Sequence, residues 1–212
     1  MRAAVLPASL LALSSLVFGQ EASADGKTLA EVQAFVKEAR DFVEKQGEPH
    51  LIFADVSDYN EGAKPVWKKY GSMVDFQNAG EEGERYTVAY IWLKEGKVIG
   101  VNFTYSSPSG DWAYYAEHVF RADGSVAEIR KELRTFLGDV IVIRTTVYDP
   151  AGKELMTTKE FLDLDSQKPV PPTSNFMDVD VAVYKKAGDL PFAGQLFVSA
   201  GPVPAPTSLA SI

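Results

Sequence analysis

The chain has 212 residues, 46% hydrophobic and 24% charged, with a mean hydropathy of -0.09, a balance that excludes both a disordered tail and a polytopic membrane protein. Sixteen glycines and twelve prolines stay near average usage, which excludes collagen-like and low-complexity chains. Acidic residues outnumber basic ones by 29 to 21 for a net charge of -8, and no basic run occurs, so nucleic acid is excluded as a partner class.

Residues 1–24 have the layout of a secretory signal peptide. Arg2 supplies the positive start, Ala3 to Phe18 is an apolar run, and Ala22-Ser23-Ala24 gives the small-x-small pattern that signal peptidase accepts, with cleavage expected before Asp25. The run is interrupted by Pro7 and several serines and falls short of the roughly 20 residues that cross a bilayer, which disfavours an uncleaved anchor. Removing the segment takes away Arg2 and Glu21 together, so the acidity belongs to the remaining domain. The expectation is an exported protein, bacterial periplasmic or extracellular, with residues 25–200 as one α+β domain, 201–212 as a flexible tail, and no membrane anchor in the mature chain. With no cysteine, disulfides, thiolate metal sites, haem attachment and a nucleophilic thiol are all excluded.

From Thr28 to about Gln46, Leu29, Val32, Phe35, Val36, Ala39, Phe42 and Val43 recur at helical spacing, with Glu, Lys and Arg between them, and Gly47 follows as a stop. Residues 50–56 read as a short strand. Ser57 to Gly83 is punctuated by Gly, Asn, Asp and Pro, with a helical turn expected at Pro65 to Tyr70. From Tyr86 onward the pattern becomes strand, turn, strand: Tyr86–Leu93, Lys97–Tyr105, Trp112–Arg121, Val126–Leu137, Val140–Tyr148 and Lys153–Leu164, separated by Glu-Gly, Ser-Pro-Ser-Gly, Asp-Gly, Gly-Asp and Asp-Pro-Ala-Gly. Connections this short force antiparallel neighbours.

One segment supports two readings. Ser125 to Glu128 is a capping box, and Val126, Ile129, Leu133 and Phe136 are spaced as on a helix. Yet Glu128, Arg130, Glu132 and Arg134 alternate with Ile129, Lys131, Leu133 and Thr135, and the flanking Asp-Gly and Gly-Asp pairs suit hairpins, so strand is favoured. Beyond a Pro-rich bend at 168–172, Asp178–Tyr184 is expected to add a last strand. The element order implies an N-terminal amphipathic helix packed on an antiparallel β-meander, a cystatin-like or similar curved sheet.

Nine of the 24 aromatic residues fall within 86–121. Period-two geometry groups Tyr90 with Trp92, Phe103 with Tyr105, and Trp112 with Tyr114, His118 and Phe120. If these faces coincide they form one aromatic surface, which is either core beneath the helix or a platform for a protein, a glycan or a small apolar ligand. Tyr90, Trp92, Tyr105, Trp112, Tyr114 and His118 are its candidate binding residues.

Catalytic signals are weak. Of two histidines, only His118 shares that surface, and no G-x-S-x-G or H-E-x-x-H motif accompanies it; Asp111 and Glu117 are the carboxylates a hydrolase would draw on. No residue is assigned as catalytic. Asp55 to Gly62 fits no EF-hand register, Asp163/Asp165 and Asp178/Asp180 read as solvated carboxylates, and neither a metal site nor a cofactor is assigned. The sequence therefore favours a non-catalytic binding or interaction module of the cell envelope, with a secreted hydrolase using Asp111 and Glu117 or His118 as the alternative.

Overall fold

A computed structural model describes residues 24–57, 64–82 and 85–196; the tail expected at 201–212 lies outside these, as does the expected signal peptide apart from Ala24. Helix α1 spans Ala24–Gln46, starting four residues before the expected cap and ending where the Gly47 N–H returns to the Val43 carbonyl at 3.0 Å. Eight strands follow: β1 (Leu51–Asp55), β2 (Trp67–Tyr70), β3 (Thr87–Lys94), β4 (Lys97–Ser106), β5 (Trp112–Phe120), β6 (Val126–Thr135), β7 (Val140–Tyr148) and β8 (Glu154–Asp163). They form one antiparallel sheet in the order β2-β1-β3-β4-β5-β6-β7-β8, so the fold is α+β with a helix packed against a meander. The two readings of 126–137 resolve as strand.

The helical turn expected at Pro65–Tyr70 is instead the edge strand β2. On a helix Trp67 and Tyr70, three apart, would share a face; here they serve opposite faces. Trp67 packs edge-on against Phe192, 5.2 Å between centroids, while Tyr70 meets Phe76 at 5.4 Å. Phe76 belongs to α2 (Met73–Asn78), a short helix the sequence reading did not distinguish, capped by Ser72, whose Oγ accepts the Asp75 N–H at 3.0 Å.

Three β-bulges adapt the sheet to α1. Register shifts fall at Trp92/Leu93, Val119/Phe120 and Val147/Tyr148, close to the β3–β4, β5–β6 and β7–β8 turns. The extra residues are Ile99, Ala127 and Leu155, and all three join the cluster beneath α1 with Val32, Val36 and Ala39. Each bulge thus adds an apolar side chain to the face that a regular alternation would have given one fewer.

The opposite face is covered as well. The strand expected at Asp178–Tyr184 is not one: residues 169–192 form an extended strap across the sheet. Val179 and Val181 pack down onto the core while Asp178 and Asp180 stay exposed beside it, so the segment alternates without pairing as a strand. Its backbone groups are satisfied piecemeal. Val126 N–H bonds to the Lys185 carbonyl (3.0 Å), Ala187 N–H to the Gly124 carbonyl (2.8 Å), and Val170 N–H to the Phe161 carbonyl (2.9 Å). Phe192 closes the strap by stacking on Phe53, centroids 4.2 Å apart. At the far end the strap crosses the β6–β7 turn so closely that a Cβ on Gly138, itself at φ +87, would lie 1.9 Å from the Asn175 carbonyl oxygen, so no other residue fits there.

Candidate functional site

The register splits the six candidate residues between two faces. Ala89 lies opposite Phe103, and Tyr90 opposite Asn102. Tyr90 and Trp92 therefore look toward the helices, whereas Tyr105, Trp112, Tyr114 and His118 look toward the strap. The single aromatic surface considered above does not form.

On the strap face the rings are core. Phe103 sits at the centre, 5.7 Å from His118, 5.4 Å from Tyr184 and 5.9 Å from Phe192. Tyr105 stacks beside it, and burial pushes its hydroxyl well above the ordinary phenol range. Trp112 is half-buried against the same cluster. Tyr114 is pushed up to about 12, first by burial and then by Asp178 and Asp180, with Arg144 opposing.

His118 is 1% exposed, and its neighbours define its state. Nδ1 faces the Ala116 carbonyl at 3.2 Å, while Nε2 accepts the Tyr184 N–H at 3.1 Å, which requires the neutral Nδ1–H tautomer. Burial lowers its pKa to about 4. The ring pins the strap to β5. The other histidine, His50, accepts the Leu93 N–H through Nδ1 at 3.2 Å. Asp111 lies in the β4–β5 turn, held by Ser109 Oγ at 2.6 Å, and Glu117 lies six residues along β5, about 20 Å away at strand spacing, well beyond the reach of a paired acid and base.

The helix face holds a cleft. Between the second half of α1 and β3–β5 lies a cavity of about 300 Å³. Ala39, Val43, Trp92, Ile99 and Val119 make it largely apolar, and Arg40, Glu44, Asn102, Glu117 and His118 are the polar residues of its lining. Gly100 eases the approach of α1: a Cβ there would lie 3.3 Å from Val43 Cγ2, a tight contact that the Val43 side chain would have to relieve. Gly100 and Asn102 occupy successive positions on one side of β4, opposite Trp92 and Tyr90, where larger apolar side chains would have filled the space. Two buried polar atoms of this lining have no partner, Trp92 Nε1 and Asn102 Oδ1. Such groups cost about 1–3 kcal/mol each while unpaired.

Charge at the cleft mouth is organised. Arg40 Nη2 stands 2.7 Å from Glu128 Oε1, a close ion pair lacking hydrogen-bond alignment, and 3.5 Å from Glu117. Arg130 joins Glu117 (3.6 Å) to Glu132 (2.6 Å), and Arg134 reaches the other oxygen of Glu132 at 2.6 Å. Burial raises the Glu128 pKa, an effect Arg40 opposes. The residues sequence reasoning missed here are Arg40, Val43, Gly100 and Asn102. The available signal was the small and polar pair at 100 and 102 on one parity of an otherwise apolar strand. Compared with protein-family models, with curated proteins and with solved structures, the chain matches none.

Proposed function

We propose that the protein is a non-catalytic binding module that takes a small, mostly apolar molecule into the cleft between α1 and β3–β5. The observation that carries this reading is the pair of unpartnered polar atoms, Trp92 Nε1 and Asn102 Oδ1, within one apolar lining. Binding sites combine an apolar wall with a few placed polar groups, and a ligand presenting one acceptor and one donor, such as an amide or an alcohol, would satisfy both atoms once the Trp92 ring and the Asn102 amide, whose unpartnered atoms are closed to solvent in the empty cleft, turn toward it. The leader pattern at 1–24 supports an exported location, in which such a module would serve the cell envelope or its surroundings.

Titration with N-phenyl-1-naphthylamine tests the reading. Its emission is expected to rise to saturation at one site and to fall on addition of a competing small apolar amide. Val43→Trp, which projects a ring into the cleft, is expected to abolish the signal with the circular dichroism spectrum unchanged. Saturation that survives this substitution, or no saturable signal in the wild type, overturns the proposal.

A further inference from the structure

The strap face carries a second, differently built cavity, of about 510 Å³. Its floor includes Lys131, Arg144 and Lys159, which lie in direct cross-strand register on β6, β7 and β8. Three cations side by side across neighbouring strands repel one another, and strands about 4.8 Å apart bring them within a single small molecule's span. Lys159 is steadied by the Phe161 and Phe176 rings, 4.9 and 5.1 Å from its ammonium. Among the described residues no ion pair within 4 Å joins Lys131, Arg144 or Lys159 to a carboxylate.

The opposite wall is acidic, formed by Asp178 and Asp180 of the strap, with Tyr114 and Phe176 as aromatic surfaces between the two signs. Were the strap carboxylates there only to neutralise the row, they would close to contact. On the other face of the same strand Arg130 and Arg134 reach Glu132 at 2.6 Å. Here the two signs line one cavity and stay apart. A simple anion fits the floor and is repelled by the wall; a simple cation meets the reverse.

We propose that this cavity binds a zwitterionic α-amino acid, its carboxylate on the Lys131–Arg144–Lys159 row, its ammonium toward Asp178 and Asp180, and its side chain against Tyr114 and Phe176. The assignment is independent of the cleft under α1, which lies across the sheet.

Calorimetric titration of the full chain with each of the twenty common amino acids tests it. At least one, with an apolar or aromatic side chain favoured by the aromatic surfaces, is expected to bind saturably, and its N-acetyl and amide derivatives are each expected to bind at least tenfold more weakly. Arg144→Gln and Asp180→Asn, both at the open surface, should each weaken binding at least tenfold with little change in melting temperature, whereas Val43→Trp should leave it unchanged. An N-acetyl derivative binding as tightly as the free amino acid would show an anion site alone and overturn the assignment. So would insensitivity to Asp178→Asn combined with Asp180→Asn, or no saturable binding of any free amino acid.

Discussion

The two faces of the sheet are covered in different ways. On one, a regular helix lays aliphatic side chains on the strands, satisfies its own backbone, and leaves the polar remainder of the face to neutralise itself in pairs. On the other, a segment whose one regular piece is the short 3-10 helix Ala187–Asp189 brings aromatic anchors, and most of its amides must find partners one by one, including a histidine ring. A periodic cover is specified by spacing. An aperiodic one is specified by individual contacts, so it has more single points of failure.

That contrast can be broken at its strongest anchor. Phe192 is 1% exposed and stacked on Phe53, so Phe192→Ala is expected to cost about 3–5 kcal/mol in urea unfolding, the usual range for emptying a buried ring site. Hydrogen exchange should show the loss of protection concentrated in 169–192 rather than in α1.

The next largest effect is acid sensitivity confined to the strap. The pKa of His118 is about 4 folded against 6.5 unfolded, so the unfolded chain takes up the proton first. Its contribution is complete above pH 6.5 and is lost as pH falls toward 4, by up to about 3 kcal/mol. Protonated Nε2 can no longer accept the Tyr184 N–H. Denaturant titrations at pH 7.5, 5.5 and 4 are expected to show this slope in the wild type and a shallower one in His118→Gln. Equal slopes would remove the histidine as its source.

The helix face should respond less to a single truncation. Val36, 4% exposed, contributes about 2 kcal/mol of burial, so Val36→Ala is expected to lower the unfolding free energy from urea titration by about that amount without the pH dependence changing. A loss as large as that of Phe192→Ala would erase the distinction between the two covers.

Much of the helix side was legible because its period is a property of the sequence, and the strands from β3 to β8 were legible because turn chemistry separates them. Bulges explain the ambiguity at 126–137. The extra Ala127 puts Val126 and Ile129 on one side of the strand, which imitates a helical spacing of three; Phe136, the last member of that apparent stripe, is 65% exposed in the turn. The strap was illegible as a layer, since alternation at 178–181 reads the same whether a segment pairs with a strand or lies across several. The cleft was hidden for a related reason: Gly100 and Asn102 matter through what they leave unfilled, and the cation row exists only once β6, β7 and β8 are in register.

The open ends of the sheet carry a further consequence. Lys68 and Lys69 stand on β2 at one border, and Glu154, Lys159 and Glu160 on β8 at the other, while residues 168–170 fold back over the last part of β8 through the Leu162–Pro169 bridge. A second chain seeking to extend the ladder at either border must desolvate these charges and, on β8, displace that flap. Eight strands therefore present little template for intermolecular strand addition, and assembly of this protein, where it occurs, would use side chains rather than main-chain pairing.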